Sequence, residues 1–239
     1  MRMKLADPYK GFSNVFERIV SVEKYDRWEA LIRSVWKKNS FSPRSLVDLA
    51  CGTGLNGVRF SKELEVFGVD SSASMLERAK EKGSSVEFLK GNFLNFILPK
   101  NVDAALCLDF STNYILRTDE FVEFLNRVES CLNEGGLFIL DFKPTQAFKK
   151  KERHLEEKEF VFDWKCNVEH APFVIIDIEV KMKEGETFKE RHIERGYSWD
   201  EMKKIIEGSN FYLKEVYDNC TLKEPAESSE LIQVVLQKV

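Results

Sequence analysis

The chain has 239 residues, 43% of them hydrophobic and 32% charged, with a net charge of −4. That length suits one large α/β domain or a core with a modest insertion, and the acidic balance gives no global basic field of the kind expected for nucleic-acid binding. No apolar run is long enough to span a membrane, and the N-terminal stretch MRMKLADPYKGF lacks the apolar centre of a signal peptide, so the expectation is a cytoplasmic protein, monomeric or homodimeric.

Residues 1–40 read as a helical cap with aromatic side chains at irregular intervals. SLVDLAC (45–51) is a short apolar run ending at glycine, a buried strand. A helix over 55–63 follows, then a second strand, VFGVD (66–70). SSASMLERAK (71–80) is helical, with Ser74 and Glu77 offering a capping box. VEFLK (86–90) and VDAALCL (102–108) are the third and fourth strands. From Glu120 to Leu132, Phe121, Phe124, Leu125, Val128 and Leu132 recur at helical spacing. Gly135 and Gly136 stop that helix, and GLFILDF (136–142) is a fifth strand. Strands alternating with helices in this way predict a doubly wound, mostly parallel sheet.

The texture changes after Pro144. KKKERHLEEKE reads as a solvated connection or helix face. EFVFDWKC, FVIIDIEVKM and TFKERHIERGY alternate and are rich in β-branched and aromatic residues, so they read as antiparallel strands. SWDEMKKIIEG (198–208) returns to helix, with Ser198 and Glu201 as a capping box. FYLKEVYD and ELIQVVLQKV close the chain as strands. The expected organisation is an α/β core of residues 1–143 and 198–239, its cap (1–40) included, with a small antiparallel β insertion at 144–197. Such an insertion sits beside the carboxyl edge of the sheet, where ligands bind, and is placed to cover an acceptor site.

The five cysteines are odd in number and form no CxxC, which fits buried free thiols in a reducing compartment. Neither they nor the three histidines show metal-ligand spacing, so no metal is expected. Trp164 and Trp199 read as core residues.

VDLACGTGLNG (47–57) holds the chemistry. Gly52-x-Gly54-x-x-Gly57 has the spacing of a dinucleotide-binding turn. Asp48 precedes it, and Ala50 extends the small residues back into the strand end. Small residues let the backbone form a pocket floor. A carboxylate beside the loop suits a ligand with an ammonium group and repels a pyrophosphate, which favours S-adenosylmethionine over NAD. Asp70, ending the second strand, can accept hydrogen bonds from both ribose hydroxyls. Asn92 and Phe93 follow the third strand and suit adenine, the Asn amide meeting the purine amino group.

The series VDLACGTG, VFGVDSSASMLERAK, VEFLKGNF, VDAALCLDFSTNYI and VESCLNEGGLFILDF resembles, in order and spacing, the class I S-adenosylmethionine-dependent methyltransferases. The small-molecule and amino-sugar branch is the most similar: Tyr9, Phe12, Phe16 and Glu17 match a Tyr-x-x-Phe-Ala-x-x-Tyr-Asp element, and Glu190, His192, Arg195 and Tyr197 match a Glu-x-His-x-x-Arg-x-Tyr segment of the insertion. The chain departs from that pattern at Ala50 (commonly glycine), Asn92 (commonly Asp), Phe16 (for Tyr) and Asp109-Phe110 (often Phe-Asp). The resemblance implies S-adenosylmethionine as cofactor, S-adenosylhomocysteine as product and a small-molecule acceptor methylated at N or O. It implies a cofactor site of Asp48, Ala50, Cys51, Gly52, Gly54, Asp70, Ser71, Met75, Asn92, Phe93 and Asp109. Methyl transfer is an in-line displacement for which a protein chiefly orients, excludes water and, for some acceptors, removes a proton. His192 is the candidate base, since imidazole titrates near neutrality, and Tyr9 the candidate contact to the methyl group. Structural roles remain the other reading for Tyr9, His192 and Met75. Asn113 and Tyr114 are possible pocket walls. The alternatives are a methyltransferase acting on RNA or protein, a non-catalytic S-adenosylmethionine-binding module, and an NAD-dependent oxidoreductase. The last needs a second βαβαβ unit where 144–197 reads as antiparallel.

Overall fold

A computed structural model describes residues 9–239, so residues 1–8 of the expected cap lie outside the described residues. In chain order come α1 (Phe16–Ile19), α2 (Val22–Lys38), β1 (Ser45–Leu49), α3 (Gly57–Phe60), β2 (Glu65–Asp70), α4 (Ala73–Lys80), β3 (Glu87–Lys90) and β4 (Val102–Cys107). Then follow α5 (Thr118–Cys131), β5 (Leu132–Phe142), β6 (Lys151–Glu156), β7 (Phe160–His170), β8 (Phe173–Met182), β9 (Thr187–Arg195), α6 (Trp199–Glu207), β10 (Phe211–Asp218) and β11 (Ile232–Lys238).

Seven strands form one sheet in the order β10-β11-β5-β4-β1-β2-β3. β1 through β5 pair in parallel, and β11 returns antiparallel to both β5 and β10. The chain runs outward from β1 in both directions, so the switch point lies between β1 and β4, where a crevice opens at the carboxyl edge. Central strands buried on both faces are mostly apolar, and β1 and β4 follow the rule apart from Ser45, Asp48 and Asp103: Leu46, Val47, Leu49 and Ala104 to Cys107 are all sealed from solvent. Helix α2 covers one face through Tyr25, Trp28, Leu31, Ile32 and Val35, spaced to share one stripe. Helices α5 and α6 cover the other through Phe121, Phe124, Leu125 and Ile205. The Ser198–Glu201 capping box starts α6.

A second, antiparallel sheet holds β6-β7-β8-β9 in order. Its inner face packs Phe160, Phe162, Val174 and Val180 against Phe12, Val15 and Ile19 of the N-terminal segment. The charge run at 149–159 is therefore not a helix face, and only its ends are connection. Its middle, residues 151–156, is the edge strand β6, in register with β7 from Lys151↔Cys166 to Glu156↔Val161. An edge strand meets water along one side, so charged side chains are tolerated there and discourage further pairing.

Other boundaries differ from the sequence pattern for local reasons. Helix α3 is a single turn rather than 55–63, because the loop before it consumes residues through Asn56. Helix α4 is capped by Ser72, whose side chain accepts from Met75 N–H, rather than by Ser74. Strand β5 begins at Leu132, ahead of the glycine pair, with an irregular register against β4. No helix among the described residues is long and apolar enough to cross a membrane. All five cysteines are free, with Cys107 and Cys166 buried.

Candidate active site

The loop after β1 is built from left-handed turns at alternate positions. Ala50, Gly52 and Gly54 have φ of +54°, +53° and +80°. Only a residue with little or no side chain adopts that region cheaply, which accounts for the small residues in the sequence. Gly54 is further fixed by sterics, since a Cβ there would stand 2.8 Å from the Phe88 ring. The Gly52 N–H donates to Asp70 Oδ2 at 2.8 Å, and Asp70 Oδ1 accepts from Ser72 N–H at 2.8 Å. Asp70 thus ties the loop to the end of β2 and the start of α4.

Asp48 lies elsewhere than its expected place. It is fully buried behind the loop, and its Oδ2 accepts the Gly57 N–H at 3.0 Å. Burial pushes its carboxyl up to about 7, against the opposing Gly57 hydrogen bond. Asp48 and Gly54 shape the loop from behind and are absent from the cavity wall, whereas Ala50, Cys51, Gly52, Asp70, Ser71 and Met75 line it.

That cavity has a volume of about 1060 Å³, at or above the upper end of about 300–1,000 Å³ usual for ligand sites. It runs from the carboxyl edge of the seven-stranded sheet to the inner face of the four-stranded one. Asn92 and Phe93 lie on its wall, but the Asn92 side-chain oxygen already accepts from Leu94 and Asn95 N–H at 3.0 and 3.1 Å. Both of its lone pairs are engaged in the turn, so it does not offer the acceptor expected for a purine amino group. Phe93 packs edge-on against Phe124 at 5.0 Å between centroids.

After β4, Asp109 and Phe110 both take left-handed φ, +64° and +59°. Both line the cavity, and Asp109 is ion-paired with Lys24 of α2. Their N–H groups donate to the buried Asp141 carboxyl, at 3.2 and 2.8 Å. Asn113 is a clamp rather than a wall: its amide donates to Lys143 and Arg195 carbonyls and accepts from Lys143 N–H.

The opposite wall carries the ionisable cluster. Tyr9 stacks on His192 at 4.7 Å, and its hydroxyl donates to the Tyr114 hydroxyl. Tyr114 in turn lies beside Glu194 and draws its carboxyl down. Burial pushes Glu194 up to about 7, with His192 and Lys143 drawing it down. Burial also raises both phenols, so they stay protonated. His192 Nε2 lies 3.2 Å from Glu190 Oε2, an arrangement in which Nε2 carries the proton and Nδ1 accepts. Glu190 also accepts N–H groups from Tyr9, Gly11 and Phe12. Burial alone would raise it; the His192 bond and these N–H groups hold it below its ordinary value. Sequence reasoning passed over Glu194. Its signal was the two-residue period Glu190, His192, Glu194, which puts all three on one face of β9. Trp164, expected in the core, lines the cavity instead.

The donor set fits an adenosyl ligand. The loop wall presents carboxylates at Asp70 and Asp109, and Lys24 on that wall is already paired with Asp109. A Cβ on Gly52 would meet no atom within 4 Å, so that backbone is open to close approach. Thr53 Oγ1 is buried with no partner among the described residues, a polar atom a bound ligand can satisfy.

Residues 46–136 match the model of a methyltransferase domain. A protein of Geobacillus sp. (strain WCH70) with a provisional methyltransferase name is 25% identical over 96% of this chain and 99% of its own. A carboxy-S-adenosyl-L-methionine synthase from a Nitratiruptor species is 28% identical over 68% of this chain and 70% of its own. Among solved structures, an S-adenosylmethionine-dependent methyltransferase from Clostridium acetobutylicum superposes with a TM-score of 0.84 at 23% identity, covering 96% of this chain and 98% of that one. A sugar N-methyltransferase from Streptoalloteichus sp superposes with a TM-score of 0.75 at 16% identity, covering 100% and 96%.

Proposed function

We propose that this chain, a class I S-adenosylmethionine-dependent methyltransferase, methylates nitrogen or oxygen of a small-molecule acceptor held between the two sheets. The observation that carries the reading is the two-sided cavity: glycine loop and Asp70 on one wall, Tyr9, Tyr114, His192 and Glu194 on the other. S-adenosylmethionine supplies a methyl group already activated on a cationic sulfonium. Asp70 receives the ribose hydroxyls alongside its two backbone bonds. Gly52 admits the ligand against bare backbone, Met75 and Phe93 take the adenine, and Asp109 puts negative charge beside the sulfonium end. Ala50, Cys51, Ser71 and Asn92 complete that wall.

On the acceptor side, Tyr9 closes over the transfer path and His192 Nδ1 can take a proton. Glu194 is a second proton acceptor, reached through the Tyr9–Tyr114 hydroxyl chain. A carboxyl poised near 7 is matched to general-base work at neutral pH. A cavity of about 1060 Å³ shared by cofactor and acceptor favours a small acceptor over RNA or protein, as do the acidic balance and the sugar N-methyltransferase among the structural neighbours.

A thermal-shift titration with S-adenosylmethionine, S-adenosylhomocysteine, carboxy-S-adenosylmethionine and NAD(H) tests the cofactor assignment. Ligand at about 100 times its dissociation constant stabilises the native state by about 2.7 kcal/mol. The adenosyl ligands should shift the transition, NAD(H) should not, and Asp70→Ala should lose the effect. A shift with NAD(H) alone sinks the reading.

A further inference from the structure

The register of the four-stranded sheet arranges its inner face in rows that run straight across all four strands. One row is His192, Ile176, Cys166, Lys151; the next is Glu190, Ile178, Trp164, Arg153. In each, the residue on β9 is a proton-handling group, the two central residues are apolar or aromatic, and the residue on β6 is a cation. Except for Glu190, every member of both rows lines the cavity. Lys151 has no carboxylate within 4.0 Å among the described residues, and Arg153 spends two N–H bonds on the Ile19 carbonyl without meeting an acid. Lys143, at the end of β5, is likewise without an ion pair among the described residues and lies close enough to Cys166 to draw its thiol down against the burial that raises it. The cations Lys151 and Arg153 therefore stand at the β6 end of the rows and the acids Glu190 and Glu194 at the β9 end, with Lys143 between them, near enough to draw down both the Cys166 thiol and the Glu194 carboxyl.

The geometry points to a methyl acceptor with an apolar or aromatic body that carries an oxyanion, carboxylate or phosphoryl, at the end remote from its nucleophilic atom. This inference rests on the methyl-transfer reading, which puts the reacting nitrogen or oxygen beside His192 and Glu194. Three inter-strand gaps of about 4.8 Å separate β9 from β6, so the row is about 14 Å long. An anion placed at the β9 end would face Glu190 and Glu194. Placed at the β6 end it meets Lys151 and Arg153, and the body between them lies on Ile176, Cys166, Ile178 and Trp164. Burying an unpaired anion on that apolar middle would be costly, so the sheet fixes the polarity of the acceptor as well as its length.

The test is calorimetric titration of the protein saturated with S-adenosylhomocysteine. The probes are 4′-hydroxybiphenyl-4-carboxylate, the corresponding phosphonate and neutral 4-hydroxybiphenyl. At least one oxyanion probe should bind about three- to tenfold more tightly than the neutral one, the range for partly exposed charge-assisted contacts. The tighter of the two assigns carboxylate or phosphoryl. Lys151→Ala/Arg153→Ala should erase the preference. Because Arg153 also braces Ile19, Lys151→Glu is the second variant; its residue is exposed and unpaired, and it should reverse the preference while leaving S-adenosylhomocysteine binding intact. Equal affinities, a preference that survives in Lys151→Glu, or no oxyanion binding to the loaded wild type overturns the inference. Failure of the wild type to bind S-adenosylhomocysteine at all overturns the methyl-transfer reading instead, and this inference with it.

Discussion

Asp141→Asn isolates the group that holds the turn after β4. Asp141 is completely buried, and its two carboxyl oxygens accept the N–H groups of Asp109 and Phe110. Both of those residues are non-glycine with positive φ, a conformation costing roughly 1–2 kcal/mol each. The turn therefore stores roughly 2–4 kcal/mol that these two hydrogen bonds must offset. The Asn side chain keeps the shape but turns one accepting oxygen into an amide nitrogen, facing an N–H with an N–H. A buried donor left without its acceptor costs about 1–3 kcal/mol. Relaxation of the turn returns part of the stored strain, so the expected net loss is about 1–2 kcal/mol. The same relaxation withdraws Asp109 and Phe110 from the cavity wall, and S-adenosylhomocysteine binding should weaken about tenfold, equivalent to about 1.4 kcal/mol. Urea unfolding at neutral pH, with and without ligand, reads both quantities. A variant with the wild-type midpoint and slope, binding ligand within twofold of wild type, would refute the claim that the carboxyl holds a strained turn.

Two further outcomes follow from the same physics. Burial raises Asp48 to about 7, Asp141 to about 8 and Glu194 to about 7. A carboxyl whose folded pKa is raised gives its full contribution below the ordinary value near 4 and loses it as pH climbs through the folded value. Stability should thus fall between about pH 4 and about pH 8 and level off above, and Glu194→Gln should flatten that slope; an unchanged or steeper fall in the variant would contradict the assignment. Ala50→Gly relieves a φ of +54°, worth roughly 1–2 kcal/mol, against about 0.5–1 kcal/mol of added unfolded-state entropy. Its denaturation midpoint should hold or rise with ligand binding kept, and a loss of more than about 1 kcal/mol would show that the Ala50 methyl is a packing group.

The sheet was legible because apolar runs, alternation and glycine punctuation are local signals, and β1, β2, β4 and α6 carry them cleanly. The glycine loop was legible for the same reason: its positive φ values demand small residues at alternate places. What the sequence could not convey was direction. Asp48 sits one strand position away from facing the cavity, and period two decides which face a side chain takes. Asn92 has the right chemistry, but its oxygen is spent on its own turn, as short polar side chains in loops tend to be. Strand β6 misled because its charges mimic a solvated segment, and only pairing with β7 reveals that Lys151 and Arg153 point inward. Asp141 gave no signal beyond an acid inside an apolar strand, and Glu194 only its two-residue spacing from Glu190 and His192, since their importance comes from neighbours distant in sequence.

The segment from Tyr9 to Ile19 joins the two halves of the site. Glu190 of β9 accepts the N–H groups of Tyr9, Gly11 and Phe12. Arg153 of β6 holds the Ile19 carbonyl at 3.2 and 3.3 Å. On the cofactor side, Lys82 donates to the Thr53 carbonyl of the glycine loop at 2.9 Å and pairs with Glu17 of α1. One short stretch of chain is therefore fastened to the glycine loop, to the proton-handling strand and to the cationic edge strand. Transfer from a sulfonium needs water excluded and two ligands held in line. Because three of the bonds that hold this segment over the cavity end on Glu190, which also positions His192, the proposed methyl transfer would close the site and set His192 in one structural event.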